Sequence, residues 1–260
     1  MKLAFTTLAC PAWSLERVAE ACREYGYDGV ELRLVDGATI EPDLAPGERR
    51  RIRSALAGLP IVAVDTSIRL AGADPARTAA DLRWFLELAA EWESPLIRVF
   101  GGEGDAALDE MAGLLASAAP LAERLGVGVA VETHDAFSSA GAVAGLLARE
   151  SSSAVGALWD MLHTHRVGET PEAVLALLGG RLLHVHVKDG RPRPGSADWE
   201  LVLLGEGTVP VERSLRALAA GGYDGWVAVE WEKKWHPEIA EPEVALPQHA
   251  AALARWPEGA

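Results

Sequence analysis

In the stretch Leu182-Leu183-His184-Val185-His186-Val187-Lys188-Asp189, every second side chain from His184 to Lys188 is ionisable. Read as a β-strand, it puts His184, His186 and Lys188 on one face and Leu183, Val185 and Val187 on the other. A face with two imidazoles and an ammonium can be buried only against opposite charge or a bound group. Three further apolar runs carry acids at their ends: residues 127–132 finish at Glu132, residues 155–160 at Asp160, and residues 226–231 include Glu230. If these strand ends converge, Glu132, Asp160, His186 and Glu230 hold one divalent metal. Three carboxylates and an imidazole suit Mn²⁺ best, with Mg²⁺, Co²⁺ and Zn²⁺ as the alternatives. Any one of the four alone reads as an ordinary polar strand end, so the case rests on the set.

Such a metal would bind a carbonyl and a neighbouring hydroxyl and stabilise the enediolate left when the α proton departs. Isomerisation, epimerisation and syn-dehydration of a keto-polyol all begin this way. Glu132 and Glu230, on either flank, can each be ligand and base. Lys188 can stabilise oxyanion charge or protonate a leaving hydroxyl. Glu31, in Val30-Glu31-Leu32-Arg33, is a candidate for binding a substrate hydroxyl, with a salt bridge to Arg33 or Arg98 as the alternative. His134 shares the parity of Glu132 and is a candidate substrate contact. His184 is expected to make a structural hydrogen bond to an inward acid. Of the loop tryptophans Trp13, Trp199 and Trp235, Trp13 is favoured for stacking on a sugar face. Trp159 and Trp231 have outward parity and belong to the core.

The elements that must position these groups follow a strand-then-helix rhythm. Strands are expected at residues 2–6, 29–34, 61–67, 96–100, 127–132, 155–160, 182–188 and 226–231, each rich in branched or aromatic residues. Ser14, Asp74 and Thr170 are helix caps, the last two followed by proline. The clearest helices span residues 75–93 and 106–125, and a further one lies near residues 244–256. Residues 189–210 form the longest loop. Eight such units read as an α/β chain folded as one (β/α)₈ barrel over residues 1–260 with a C-terminal helical tail. Facing the ligands inward turns Val127, Val129, Val131, Val185, Val187, Val227, Val229 and Trp231 outward, the bulky set an outer helix ring needs.

The chain has 260 residues, 49% of them hydrophobic, which suffices for one large core. Its net charge of −14 argues against nucleic-acid or anionic-membrane partners and leaves a small molecule. No apolar run reaches the ~18 residues that suggest a membrane span. Cys10 and Cys22 lack metal-type cysteine neighbours and suit a reducing cytoplasm. Thr7-Leu8-Ala9-Cys10 has too few residues before it to be a lipoprotein cleavage site.

Val131-Glu132-Thr133-His134, Trp159-Asp160-x-x-His163, His184-Val185-His186-Val187-Lys188-Asp189, Leu204-Gly205-Glu206-Gly207 and Val229-Glu230-Trp231-Glu232 together resemble the xylose-isomerase-like sugar isomerase/epimerase superfamily. That group includes ketose 3-epimerases, inosose and dehydroshikimate dehydratases and apurinic-site endonucleases. The resemblance implies one metal on Glu132, Asp160, His186 and Glu230. It also implies that His163 contacts substrate, where it is an alternative acid. Arg98 resembles a substrate-binding arginine of the dehydroshikimate dehydratases, and dimers are common in the group. The extra metal histidines of the endonucleases are missing, which disfavours a phosphodiesterase. Ser138 stands where the 3-epimerases carry a second glutamate. The implied activity is a sugar isomerase/epimerase, with a dehydratase (lyase) as the alternative and a non-catalytic sugar-binding barrel behind both.

Overall fold

The computed structural model describes residues 1–72, 74–103, 108–196 and 198–255. Eight parallel strands close into a barrel: β1 (Lys2–Thr6), β2 (Gly29–Leu32), β3 (Ile61–Arg69), β4 (Leu96–Phe100), β5 (Gly128–Glu132), β6 (Val155–Asp160), β7 (Leu182–Val187) and β8 (Trp226–Val229). Each pairs with its sequence neighbours, and β8 closes on β1. Around them lie α1 (Leu15–Tyr25), α2 (Pro46–Ala55), α3 (Pro75–Glu91), α4 (Leu108–Leu125), α5 (Ala140–Leu147), α6 (Met161–Arg166), α7 (Pro171–Leu178), α8 (Val211–Ala220) and α9 (Pro242–Arg255). Residues 106 and 107 of the fourth expected helix, and Trp256 of the last, lie outside the described residues.

Helices α1, α3 and α7 start where a side-chain oxygen meets their free N–H groups. Ser14 Oγ accepts from the Arg17 N–H at 3.3 Å, Asp74 Oδ1 from Ala76 at 2.9 Å, and Thr170 Oγ1 from Ala173 at 3.4 Å. Helix α1 stops at Gly26, whose φ of 80° is a left-handed conformation that glycine takes without a steric cost. Four strands are shorter than the sequence suggests, the fifth and seventh by one residue each and the second and eighth by two. The second ends at Leu32 because Leu34–Val35 pairs instead with Ala38–Thr39. The eighth ends at Val229, although the Glu230 N–H still donates to Val187 O at 3.0 Å. The expected loop at 189–210 opens with a hairpin, Asp189–Pro192 against Trp199–Val202.

Strand parity divides the apolar residues between two regions. Val129, Val131, Val185, Val187, Val227 and Val229 are wholly buried in the large outer cluster between strands and helices. A smaller plug fills the barrel floor. There the alternation breaks twice. Opposite Val30 and Glu31 the register skips Val62, which turns inward against Ala4, Ala228 and Trp226. Opposite Ala157 and Leu158 it skips Leu183, which packs with Ala63, Leu96, Ala130 and Leu158. Leu183 was expected outward, and this bulge reverses it. Room exists because Gly156 lies opposite: a Cβ there would sit 2.6 Å from Leu183 Cγ. Beyond these bulges the alternation resumes, so the upper ends of β5 to β8 keep the parity that carries the site; a further register shift, between Asp65 and Arg69, lies on β3.

Helix α9 seals the barrel flank. Tyr27 donates to Leu246 O at 2.8 Å, and the His249 ring packs edge-on against Trp231 at 5.1 Å. His249 is wholly buried, and burial lowers its pKa from 6.5 to about 4, while its Nδ1 bonds Ala245 O. Between these values only the unfolded chain takes the proton, so stability is expected to fall as pH drops from ~6.5 to ~4, by about 3 kcal/mol. Urea unfolding at about pH 7 and about pH 4.5 checks this. His249→Phe should lose less stability across that interval, and an equal loss would put the pH dependence elsewhere.

Candidate metal centre and active site

The upper ends of β5, β6, β7 and β8 form a continuous arc, since those strands are consecutive neighbours in the barrel. Their inward side chains bring ligand atoms of Glu132, Asp160, His186 and Glu230 within 4.8 Å of one another. His186 Nδ1 lies 3.4 Å from Glu132 Oε1 and 3.5 Å from Glu230 Oε1. Glu132, Asp160 and His186 are wholly buried, and Glu230 is nearly so. Both Glu132 oxygens, Asp160 Oδ2 and His186 Nδ1 lack hydrogen-bond partners. Orphaned buried acceptors are costly, and several aimed at one point are explained by a cation between them. The set therefore fits a divalent metal.

Local structure aims these atoms. Asp160 caps α6: Oδ1 accepts from the His163 N–H at 2.9 Å, which leaves Oδ2 for the centre. His186 is oriented from the opposite wall. Its Nε2 lies 2.9 Å from Glu31 Oε1, and Glu31 Oε2 lies 2.7 Å from His184 Nε2. The Glu31 carboxylate faces the His186 Nε2, as carboxylates do that orient metal-ligating histidines. Burial opposes protonation of the free ring, but Glu31 and Glu230 outweigh it and hold the ring protonated, well above the usual imidazole range, so a metal would displace the Nδ1 proton. Glu31 is thus wholly buried beneath the centre, between two histidines, and not in a salt bridge to Arg33 or Arg98. His184 makes the expected bond to an inward acid. Glu31→Gln cannot accept from both rings at once, and metal affinity is expected to fall about 10- to 100-fold. Calorimetric titration with Mn²⁺ checks this; unchanged affinity would mean His186 holds its orientation without Glu31.

Lys188 lies just past β7 and is 1% exposed. Its Nζ is 2.5 Å from Glu230 Oε2, 2.5 Å from Glu232 Oε1 and 3.1 Å from Asp160 Oδ2. Glu232 is a site residue that the sequence reading misses, although Glu230-x-Glu232 shares one parity. Arg98 is 2% exposed, with Nε 3.3 Å from Glu132 Oε2 and 3.5 Å from Asp65 Oδ1. Asp65, inward on β3, is the second acid that sequence reasoning passed over.

These pairings set the protonation states. Burial favours the neutral acid in Glu230, but Lys188 and His186 prevail and hold it well below the usual carboxylate range. Burial likewise opposes ionisation of Glu132, and Arg98 outweighs it. Asp160 is different: burial raises it to about 7, with Lys188 only partly offsetting. Burial and nearby Lys188 push His163 well below its usual value, so its ring is neutral near pH 7. Lys188 is held well above its usual range because Asp160, Glu230 and Glu232 outweigh the cost of burial.

Two cavities open over the centre. One, of about 270 Å³, is lined by Arg33, Arg98, Phe100, His134, Glu230 and Trp235 among others; a second, of about 360 Å³, has His134, His163, Trp199, Glu232 and His236 in its wall. His134 is in both, its ring 4.6 Å from His163 and 4.6 Å from Phe100. Trp13 lines neither. Its Nε1 donates to Glu243 at 3.1 Å and its face meets Arg17, so Trp235 and Trp199 are the tryptophans at the mouth. Trp159 and Trp231 are core residues, each 1% exposed.

The Gly205-Glu206-Gly207 motif has a structural explanation. Asp189 accepts four backbone N–H bonds, from Gly190, Gly205, Gly207 and Val209, at 2.8 to 3.1 Å. A Cβ on Gly207 would come 2.1 Å from Asp189 Oδ1, so only glycine lets the loop close on that carboxylate.

With this fold and centre, the chain belongs to the xylose isomerase-like TIM barrel family, whose profile matches residues 19–256. Among individual proteins it is similar to an inosose dehydratase of Clostridium beijerinckii, 29% identical over 129 residues, or 45% of this chain and 41% of that one. It thus aligns with less than half of that relative's length. Its fold matches a crystal structure of the IolI protein with a bound zinc atom at a TM-score of 0.81, with 18% identity and 98% of each chain covered. It also matches L-ribulose 3-epimerase at a TM-score of 0.77 and 18% identity, covering 98% of this chain and 94% of that one. Among the described residues no helix is long and apolar enough to cross a membrane.

Proposed function

We propose that this protein is a divalent-metal-dependent enzyme that moves the proton α to the carbonyl of a small polyhydroxy keto compound, as a sugar isomerase or epimerase. The observation that carries this reading is the pair Glu132 and Glu230 at the two ends of the donor arc, both within 3.5 Å of His186 Nδ1. A divalent metal held by Glu132, Asp160, His186 and Glu230 would supply Lewis-acid polarisation of the carbonyl. The protein supplies the rest. Glu132 and Glu230, ionised at neutral pH, accept the α proton at a carboxylate oxygen and return it, from one face of the substrate or from both. Lys188 holds Glu230 ionised through its 2.5 Å contact, and neutral His163 meets substrate hydroxyls from the second cavity. The walls are polar enough for a sugar or cyclitol, and the net charge of −14 supports a small-molecule partner over nucleic acid.

A dehydratase reading is favoured by a separate observation, the sequence similarity to inosose dehydratase. It is also consistent with Ser138, whose hydroxyl donates to Asp135 O at 2.7 Å, where the ketose 3-epimerases have an acid. One experiment separates the two. The Mn²⁺-loaded protein is incubated in D₂O with ketoses and inososes and followed by NMR. Deuterium at the α carbon with a reversible ketose mixture supports the isomerase; one-way loss of water to an unsaturated ketone supports the dehydratase. Absence of exchange with every substrate would refute both.

A further inference from the structure

The wall of the 270 Å³ cavity holds three arginines, Arg33, Arg69 and Arg98, together with Glu230 and Glu232. Four of these five charged groups have an ion-pair contact. Arg98 faces Asp65 and Glu132, Arg69 Nε lies 3.6 Å from Asp135 Oδ2, and Glu230 and Glu232 share Lys188. Arg33 differs. It is 8% exposed, and its Nη1 donates to Asp65 O at 3.3 Å and Ser67 Oγ at 3.0 Å. No described carboxylate comes within 4 Å of its guanidinium. Two neutral oxygens fix the plane of the group, and the acids that act on its charge, Asp65, Glu41 and Glu230, do so without an ion-pair contact.

A guanidinium this deeply buried is costly without a counter-charge, and a ligand is one source of it. Burial and the neighbouring Arg98 lower its pKa to about 10, with Asp65, Glu41 and Glu230 only partly offsetting them, so it stays charged at neutral pH. Lys188, shared by the two acids on the same wall, offsets part of their repulsion of an incoming anion. We infer that Arg33 is an anion subsite and that the substrate is a keto-polyol with a terminal oxyanion group, carboxylate or phosphate ester. A planar guanidinium fork suits either group. Glu230 lies on the same wall, so a compound anchored at Arg33 extends along the side that carries a base. The inference rests on the enolisation reading for the chemistry of the rest of the substrate.

Calorimetry on the Mn²⁺-loaded protein tests it with three probes of one carbon skeleton: tagatose, tagaturonate and tagatose 6-phosphate. At least one anionic probe is expected to bind about tenfold or more tightly than tagatose, and the stronger of the two identifies the group. Arg33→Gln should remove that preference, so that in the variant the anionic probes bind no more tightly than tagatose, while Arg33→Lys, which keeps the charge without the fork, should retain part of it. Equal affinity for all three probes, or an undiminished preference in Arg33→Gln, overturns the subsite. Solvent-deuterium exchange on the same probes separates the two proposals. Equal affinity for the three probes together with exchange on tagatose removes the subsite and keeps the enolisation reading. Tight anion binding without exchange does the reverse.

Discussion

Replacing Glu230 by glutamine is expected to lower kcat/KM about 10³-fold, with the barrel intact by circular dichroism. Two losses combine. Glutamine is no base, so it cannot take the α proton. Its neutral amide is also a poorer partner for a divalent cation than the carboxylate whose Oε1 sits 3.5 Å from His186 Nδ1. Metal affinity should therefore fall with turnover, by at least about tenfold. Solvent-deuterium exchange into the substrate isolates the base role, since it reads proton removal whatever happens afterwards. Glu232→Gln is the matched control. It touches the same ammonium at 2.5 Å but lies outside the donor set, so it should keep most of the turnover. If Glu230→Gln retained a tenth or more of wild-type activity with saturating metal, Glu230 would be neither base nor essential ligand.

The four donors were legible in the sequence because strand parity and strand ends are both local properties. His186 and Lys188 follow from a period of two, and Glu132, Asp160 and Glu230 end apolar runs. Glu232 was within reach of the same logic, two residues from Glu230, and so was Asp65, inward on β3. The partner of Glu31 was not. Strands β2 and β7 are not adjacent, and only barrel closure brings Glu31 beneath His184 and His186. Leu183 defeats parity for a different reason. The bulge that turns it inward follows from the space left by Gly156 on a neighbouring strand, and that space is a property of the packed floor. Trp13 fails because a loop tryptophan has no period to read; its indole goes to Glu243, 230 residues along the chain. The isolation of Arg33 is an absence of neighbours, which no motif encodes.

Lys188→Met tests the charge balance of the centre and should have the largest effect on stability. Methionine keeps roughly the length of the side chain and removes the ammonium that lies 2.5, 2.5 and 3.1 Å from Glu230, Glu232 and Asp160. Removing one partner of a buried ion pair leaves an uncompensated charge, at a cost of about 3–5 kcal/mol. The pH dependence gives the mechanism. Lys188 lowers the pKa of Asp160 and Glu230, so without it both rise, and Asp160 already stands at about 7 through burial. In the metal-free variant these acids ionise at a growing penalty as pH rises, and they escape that penalty by protonation as pH falls. The stability gap to wild type should therefore be widest near pH 8 and narrow toward about pH 5.5, the sign expected when folding raises the pKa of an acid. Urea unfolding of both proteins across that range measures it. Mn²⁺ should close part of the gap, because a dication among Glu132, Asp160, His186 and Glu230 replaces the missing positive charge. A gap independent of both pH and metal would mean that Lys188 matters for its packing, and that the carboxylates are balanced by other groups.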